Sequence, residues 1–269
     1  MIDFLQNFTT IKRAIIKQKP LLHHITNYVT AANCADIALA VGASPVMADA
    51  VEEMPAMTGS AAALVLNLGT VNKERFTAML VAAAVARAKN IPVILDPVGV
   101  MATPMRLAMA KKILADGITI VRGNYAEAQA LLGQRGLGQG VDSLEKKVYS
   151  GEVAKALAQK FQCIAVVTGV EDAFSDGRQV VLAENGTPLL SKITGAGCMT
   201  TTLIAAAAAV TPDFLAAAVF GVTTMNVAAE QVEAGKYCQG PGSFKTGIFD
   251  AVYALTGDIM ATCWRGEVK

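Results

Sequence analysis

A glycine turn that leads into an apolar, alanine-rich segment offers the clearest chemistry in this sequence. Positions 194–198 read Thr-Gly-Ala-Gly-Cys, and the composition of residues 199–210 predicts a buried helix. Two glycines around one alanine bring backbone N–H groups close to an anion, and a helix N-terminus favours negative charge. We therefore expect Gly195, Ala196 and Gly197 to bind a phosphate or a developing oxyanion.

Cys198 ends this turn at the predicted start of the helix. A helix N-terminus lowers the pKa of a cysteine thiol, which makes Cys198 a candidate reactive group. A tight loop that holds a packed, inert cysteine accounts for the same residues equally well. The choice between the two depends on residues upstream.

Asp96 directly follows residues 92–95, whose apolar side chains predict a strand. Ligands of parallel sheets bind beyond the carboxyl ends of the strands, so Asp96 lies where a ligand would bind. Held by the proline that follows it, the carboxylate could reach a cation or a metal-bound water. An aspartate before proline also caps turns, and the local sequence favours neither role.

Further polar residues follow later predicted strands. Asn124 could cap a helix, and Glu127, three residues on, fits the capping-box pattern. The alternative is chemical: Arg122 would contact a nucleotide phosphate while Glu127 helps to hold Mg²⁺. At the end of another strand, Thr168 and Gly169 suit either a phosphate contact or a plain turn.

The segment 23–30 places small polar groups after a strand, where a substrate could be hydrogen-bonded. It contains both histidines of the chain, His23 and His24, which point to opposite sides of a strand and cannot easily bind one metal. We expect them to be structural. Met47 ends a further predicted strand; its thioether suits an aromatic or sulfur-containing ligand, although core packing is the commoner role.

The composition favours a protein that buries much apolar surface. Hydrophobic residues make up 53% of the 269 residues and charged residues 17%, against about 25% charged in average proteins. The mean hydropathy is +0.43. A membrane span needs about 18 uninterrupted apolar residues, and the longest candidate, 203–222, is interrupted at 211–213 and predicts two buried helices. We expect the surplus apolar surface to be covered in an oligomer.

Charge and cysteine usage exclude further classes. The net charge of +1 and the scattered Lys and Arg residues argue against a nucleic-acid partner. The first residues lack the basic and apolar regions of a signal peptide, and no membrane partner is expected. Five widely spaced cysteines without a CxxC pattern favour a reducing cytoplasm over a zinc site or a disulfide framework.

Alternating strand and helix patterns predict one α/β domain, residues 1–269, with a mostly parallel central sheet covered by helices on both faces. The predicted strands are 22–25, 44–47, 63–66, 92–95, 119–121, 164–167 and 179–182. The predicted helices are 3–18, 30–41, 72–89, 105–115, 125–132, 144–160, 198–210, 213–231 and 243–262. Only helices are expected after residue 197, and the glycine-rich stretch 133–140 predicts a flexible surface loop.

No P-loop, early GxGxxG or GxSxG motif is present. The motifs that do occur resemble those of the hydroxyethylthiazole kinase family, of the ribokinase-like superfamily, in the family's order and over nearly the whole chain. They are HITNYVT at 24–30, GASPVM at 42–47, NLGT at 67–70, DPVG at 96–99, RGN at 122–124, TG at 168–169, TGAGC at 194–198 and GPGSF at 240–244.

The resemblance implies a ribokinase-like three-layer sandwich that transfers phosphate from ATP to the hydroxyl of 4-methyl-5-(2-hydroxyethyl)thiazole, a thiamine salvage step. Members of the family are homotrimers with the thiazole pocket between subunits. By resemblance, Met47 and Gly195 would contact the thiazole and Asn27 would line its pocket. Arg122 and Thr168 would contact ATP.

The resemblance also assigns the groups that act on the phosphate. Asp96 and Glu127 would hold Mg²⁺, directly or through water, and residues 195–198 would form the anion hole. Most sugar and pyrimidine kinases of the superfamily have an aspartate where this chain has Cys198, and that aspartate serves as the base. Thiazole kinases commonly have the cysteine, which leaves the route of the proton open.

Three other functions are alternatives to the thiazole kinase. A hydroxymethylpyrimidine kinase and a nucleotide-dependent dehydratase that repairs hydrated NAD(P)H share the superfamily fold, but Cys198 counts against the dehydratase, which normally has aspartate there. A nucleotide-binding protein without catalysis is disfavoured because Asp96, Glu127 and Arg122 are intact.

Overall fold

A computed structural model describes residues 4–133 and 150–269 of the chain, and its strands bear out the predicted alternation. In chain order the strands are β1 Leu21–Ile25, β2 Ser44–Met47, β3 Ala63–Asn67, β4 Val93–Asp96, β5 Ile120–Asn124, β6 Ile164–Thr168, β7 Asp172–Ser175, β8 Val180–Ala183 and β9 Gly266–Val268. They form one sheet in the order β2-β1-β3-β4-β5-β6-β7-β8-β9.

The sheet is parallel from β2 to β6 and antiparallel from β6 to β9. Its central strands carry apolar residues without polar alternation because both faces are covered. Val65 and Leu66 of β3, for example, enter separate hydrophobic cores on opposite faces. This confirms the predicted mostly parallel sheet with helices on both sides.

The helices divide between the two faces. They are α1 Phe4–Gln18, α2 Ala31–Val41, α3 Met54–Gly59, α4 Lys73–Ala88, α5 Pro104–Ala115, α6 Tyr125–Leu132, α7 Ser150–Phe161, α8 Ala196–Ala208, α9 Phe214–Glu233, α10 Pro241–Ala254 and α11 Gly257–Cys263. Short 3₁₀ helices lie at Val51–Glu53 and Pro188–Lys192. Residues of α1, α2 and α8–α11 form one core with the sheet, and residues of α3–α7 form the other.

The apolar stretch 203–222 is divided between α8 and α9, as predicted. Among the described residues one helix, Phe214–Glu233, is long and apolar enough to cross a membrane, but 83% of the relevant window is buried inside the protein. The two helices pack closely because Gly221 of α9 meets Ile204 of α8, and a Cβ at Gly221 would lie 2.5 Å from the Ile204 backbone nitrogen. These helices are therefore core elements.

Three predictions about the elements are wrong or incomplete. The chain after residue 197 is not helical throughout, because β9 adds to β8 at the sheet edge. The single helix predicted over 243–262 is broken at Leu255, whose ψ of 127 is extended, and Thr256 caps α11 by accepting a hydrogen bond from the Ile259 N–H. Strand β7 and helix α3 were missed since both are short and lack a clear apolar period.

The predicted flexible loop, 133–140, lies outside the described residues apart from Gly133. So does the start of the helix predicted over 144–160, which the structure describes from Ser150 onwards.

Candidate active site

A cavity of about 450 Å³ lies where the carboxyl ends of the central parallel strands meet the start of α8. Most of the predicted site residues line it. They are Asn27, Asp96, Arg122, Glu127, Gly195, Gly197 and Cys198. The rule that ligands bind beyond the carboxyl ends of parallel strands thus selects the same place as the cavity.

The glycine turn begins α8 in the way that its sequence predicts. Gly195 has a φ of 94, in the left-handed region, and a Cβ there would lie 2.9 Å from Thr30 Cγ2. The first helical bond runs from the Met199 N–H to Gly195 O at 2.9 Å. The N–H groups of the residues between them start the helix and have no acceptor within it.

A guanidinium lies directly against this turn. A Cβ at Gly197 would collide with Nη1 of Arg122, so only glycine lets the arginine come so close. Nη2 of Arg122 donates a 2.7 Å hydrogen bond to Thr168 Oγ1 at the end of the neighbouring strand. Thr168 itself does not line the cavity and is joined to it through Arg122.

Asp96 is completely buried at the end of β4, with one carboxylate oxygen engaged and one open. Oδ2 accepts hydrogen bonds from Asn67 Nδ2 at 3.1 Å and Thr201 Oγ1 at 2.9 Å. Among the described residues Oδ1 has no hydrogen-bond partner. Burial raises the pKa of Asp96 to about 6, a shift that Arg122 opposes and Glu127 reinforces. A buried carboxylate oxygen without a partner marks a place for a cation or a water.

Glu127 forms the predicted capping box. Its Oε2 accepts from the Asn124 N–H at 2.9 Å, while Asn124 Oδ1 accepts from the Glu127 N–H at 2.9 Å. Oε1 accepts from the Gly99 N–H at 2.9 Å, which joins α6 to the turn after β4. The capping role is therefore confirmed, and the metal-binding role remains a prediction.

The expectation of a lowered pKa for Cys198 is wrong. The residue is 9% exposed, and burial together with the nearby charge of Asp96 raises the pKa of its thiol. Sγ lies 3.3 Å from Asn67 Nδ2 and 3.5 Å from Asn27 Nδ2, and these two amide donors only partly offset the burial. Desolvation of a thiolate here outweighs the favourable field of the helix start.

The histidines are structural, as predicted, and face opposite sides of the sheet. His23 lies within hydrogen-bond distance of Thr58 Oγ1 and Ala48 O, at 2.9 and 3.0 Å. His24 lies 3.1 Å from Thr202 Oγ1 of α8. Burial lowers the pKa of His24 to about 4, so its ring is neutral at pH 7.

Met47 is the one predicted site residue that the structure places apart from this cavity and its immediate partners. It ends β2, the strand at one edge of the sheet, and its side chain is 37% exposed. It does not line the cavity of the single chain.

Two polar residues near the site were given no role from the sequence, although Asn67 begins the NLGT motif at 67–70. Asn67 ends β3 inside the site and contacts both Asp96 and Cys198. Asp172 begins β7; it accepts from the Gly169 N–H at 3.0 Å and from Asn226 Nδ2 at 2.6 Å. Asn67 is a polar residue at the end of an apolar strand, and Asp172 is a polar residue at the start of a hairpin strand. A polar residue at such a position is visible in the sequence and could have marked both as candidates.

A second cavity of about 450 Å³ adjoins the Thr168–Gly169 turn. It is lined by Gly169, Val170, Asn226 and residues from 184 to 191. The sequence provided no indication of it, because its walls come from segments far apart in the chain.

Known proteins are similar to this chain in sequence and in fold. A family model described as the hydroxyethylthiazole kinase family matches residues 12–258. The hydroxyethylthiazole kinase of Thermoanaerobacter pseudethanolicus is 42% identical over 255 residues, covering 93% of this chain and 97% of that protein. That of Methanosarcina mazei is 43% identical over 256 residues, covering 95% and 97%.

Solved structures agree with this match. A hydroxyethylthiazole kinase protein from Pyrococcus horikoshii OT3 has a TM-score of 0.91 and 33% identity, covering 98% of this chain and 99% of that chain. The pyridoxal kinase from Staphylococcus aureus in complex with pyridoxal has a TM-score of 0.65 at 16% identity, covering 93% and 98%. The second similarity is one of fold alone.

Proposed function

Since this chain belongs to the hydroxyethylthiazole kinase family, we propose that it transfers the γ-phosphoryl group of ATP to the hydroxyl of 4-methyl-5-(2-hydroxyethyl)thiazole, a step of thiamine salvage. One observation carries the proposal: one cavity is lined by the glycine turn at the start of α8, by Arg122 and by Asp96, whose buried Oδ1 has no hydrogen-bond partner among the described residues. These are the groups that phosphoryl transfer requires for charge stabilisation.

The transferring phosphoryl group is assigned to the N-terminus of α8. In this proposal the N–H groups of Ala196, Gly197 and Cys198 donate to its oxygens, which carry the negative charge of the transition state. Arg122 adds a permanent positive charge beside Gly197. These groups are held before the substrates arrive, so little reorganisation is needed at the moment of transfer.

ATP is assigned to the side of the cavity formed by β5 and β6. Arg122 and Thr168 contact its phosphates, supported by their mutual hydrogen bond. The second cavity, beside Gly169 and Asn226, provides the adjoining room for the nucleoside.

Mg²⁺ is proposed as the metal, held by Asp96 and Glu127. The open, buried Oδ1 of Asp96 fits a hard cation, whereas both Glu127 oxygens already accept a backbone hydrogen bond, which favours contact through water. Within residues 4–133 and 150–269 no cluster of three or more His, Cys, Asp or Glu side chains could bind a metal. A site of few carboxylates suits Mg²⁺, which keeps waters and substrate phosphates among its ligands.

The acceptor alcohol is assigned to the side formed by Asn27 and Gly195. Met47 would complete the thiazole pocket from another subunit of a homotrimer, which agrees with its exposed position at the sheet edge. Tyr28 and Val29, which follow β1, are 76% and 56% exposed and offer apolar surface for such a contact.

Cys198 is the candidate acceptor of the proton from the substrate hydroxyl. Only its thiolate can accept a proton, and because burial raises the pKa of Cys198 the thiolate is a minor species at pH 7. Positioning and electrostatic stabilisation supply most of the acceleration, and proton removal by this minor thiolate supplies the smaller part.

Two wider proposals concern the whole protein. The chain acts as one kinase domain over residues 1–269, supported by the single sheet across its described parts. It works in the cytoplasm, in line with five free cysteines.

One assay separates this function from its alternatives. ATP consumption and product mass are measured with the thiazole alcohol, the hydroxymethylpyrimidine alcohol or hydrated NADH as the second substrate. The proposal expects phosphorylation of the thiazole alcohol with the highest kcat/KM. Preferred phosphorylation of the pyrimidine, or ATP-dependent dehydration of the hydrate, would replace it.

A further inference from the structure

Asn67 is a buried polar residue at the centre of the site. It has no part in the steps of the reaction proposed above. It ends β3 and is 1% exposed. The register of the parallel sheet places it beside Asp96 of β4. An apolar residue would satisfy the sheet equally well, so an amide at this position needs another explanation.

Every hydrogen-bonding position of the Asn67 amide is engaged. Nδ2 donates to Asp96 Oδ2 at 3.1 Å and to Cys198 Sγ at 3.3 Å. Oδ1 accepts from Asn27 Nδ2 at 3.0 Å and from the Gly69 N–H at 2.9 Å. An amide has two N–H groups and two acceptor positions, and all four are used here.

The orientation of this amide is fixed by its partners. If it were turned over, its oxygen would face the carboxylate of Asp96, and its NH₂ group would face the N–H donors of Asn27 and Gly69. Asn27 is fixed in turn, because its Oδ1 accepts from the backbone N–H and the hydroxyl of Thr30 at 3.0 and 3.1 Å.

We propose that Asn67 is a positioning residue for phosphoryl transfer, whose single amide holds the Asp96 carboxylate and the Cys198 thiol in one fixed geometry. This inference rests on the function proposed above. By engaging Oδ2 of Asp96, which lines the cavity, Asn67 leaves Oδ1 without a hydrogen-bond partner among the described residues and available to the expected cation. By donating to Sγ, it holds the thiol beside the acceptor side of the cavity.

The first test compares two variants with wild-type protein. Asn67→Ala removes the two donated and the two accepted hydrogen bonds of the amide. Thr201→Val removes the hydroxyl that contacts Asp96 Oδ2 and Gly197 O, and leaves the hydrogen bonds of the Cys198 thiol in place. Loss of a residue that orients a metal ligand costs about 10–100-fold in activity. We expect this loss in kcat for Asn67→Ala, a smaller loss for Thr201→Val, and a higher Mg²⁺ requirement for both. KM for the alcohol should change less than kcat in Asn67→Ala, because Asn27 stays bound to Thr30.

The second test asks whether Asn67 acts through Cys198. Asn67→Ala is combined with Cys198→Ala, and kcat is measured for the two single variants and the double variant. If Asn67 works partly by holding the thiol, the loss in the double variant is smaller than the product of the single losses. A residue that only supports the fold would give a product of independent losses together with a lowered melting temperature.

Two further measurements keep the outcome decisive. Should Asn67→Ala fail to fold, Asn67→Asp retains the acceptor for Asn27 and Gly69 but turns a carboxylate oxygen towards Asp96 Oδ2 in place of the donor, so a loss in kcat at least as large is expected. Should wild-type protein phosphorylate no thiazole alcohol, the proposed function fails. The inference is then decided by calorimetry, in which Asn67→Ala must weaken the Mg²⁺-dependent binding of ATP.

A folded Asn67→Ala variant with wild-type kcat, Mg²⁺ requirement and ATP binding would overturn the inference. So would a loss confined to thermal stability.

Discussion

The guanidinium of Arg122 donates a 2.7 Å hydrogen bond to the hydroxyl of Thr168, which joins two neighbouring parallel strands at the mouth of the site. The same guanidinium packs against Gly197 at the start of α8. Arg122 thus connects the predicted ATP side of the cavity with the predicted anion hole.

Because of this connection, we expect substitution of Arg122 to lower kcat/KM for ATP. Arg122→Lys keeps the charge but loses the planar fork that reaches both Thr168 and the turn. We expect it to lower kcat/KM for ATP by about 10²-fold, comparable with the loss of one donor to a transition state. Steady-state kinetics at saturating alcohol test this. Thr168→Val, which loses only the hydroxyl, should show a smaller effect, and wild-type kinetics for Arg122→Lys would remove Arg122 from the ATP site.

The sequence was sufficient to predict those site residues whose role follows from their chemical type and from their position at the end of a strand. Asp96 and Arg122 belong to strands that lead into the site, and the parallel topology alone brings them together. The raised pKa of Cys198 could not be predicted from the sequence, because it depends on burial and on the charge of Asp96, which lies far away in the chain. The roles of Asn67 and Asp172 were not predicted for the same reason, because their partners become neighbours only in the folded protein.

Metal dependence tests the two carboxylates. Asp96→Asn removes the negative charge of the carboxylate and replaces one of its two oxygens with an NH₂ group, so the side chain binds a metal ion less well. A metal ion contributes several kcal/mol to phosphoryl transfer. We therefore expect a loss above about 10²-fold in kcat/KM for Mg²⁺–ATP, with a smaller loss for Glu127→Gln. Binding of the thiazole alcohol, measured by calorimetry, should be little changed.

The matched control is Glu74→Gln, which removes an exposed carboxylate at the start of α4. It should leave the kinetics as they are. Full activity of the wild-type protein in excess EDTA would contradict a role for Mg²⁺.

The buried carboxylate of Asp172 predicts a pH-dependent stability. Burial raises its pKa from 3.8 to about 6, with the Gly169 N–H opposing the shift. Between these values the native protein holds a proton that the unfolded chain has lost. The contribution is therefore greatest below about pH 4 and falls as pH rises to about 6, by at most about 1.4 kcal/mol per pH unit.

Asp172→Asn removes this titration. Urea unfolding of both proteins from about pH 4 to 6.5, a span that covers the shifted pKa, should give a flatter free-energy curve for the variant. Its lost acceptor for Asn226 adds an offset that does not depend on pH. Parallel curves would show that Asp172 does not titrate in this window.

The proposed homotrimer predicts both a mass and a division of roles. Light scattering should give three times the 28.0 kDa of the chain. Met47→Ala should raise KM for the thiazole alcohol and leave KM for ATP unchanged, because Met47 lies at the sheet edge and not in the cavity of its own chain. A stable, fully active monomer would contradict shared sites and leave the exposed Tyr28 and Val29 unexplained.

Cys198 gives the sharpest test of how the proton leaves the acceptor hydroxyl. If the thiol takes this proton, Cys198→Ala should lower kcat by about 10²–10⁴-fold, or roughly 3–5 kcal/mol of barrier. Because the pKa of Cys198 is raised, wild-type kcat should climb between about pH 6 and 9 as the thiolate becomes accessible.

Cys198→Asp should keep or raise kcat at neutral pH, since a carboxylate is ionised far more readily than this buried thiol. Its pH profile should lack the alkaline rise of the wild-type protein. Cys198→Ser, which has a similar shape but a much weaker acid, separates shape from proton transfer. Near-normal kcat for the alanine variant would mean that Cys198 only packs at the helix start, and that the N–H groups of the turn, Arg122 and Mg²⁺ suffice for catalysis.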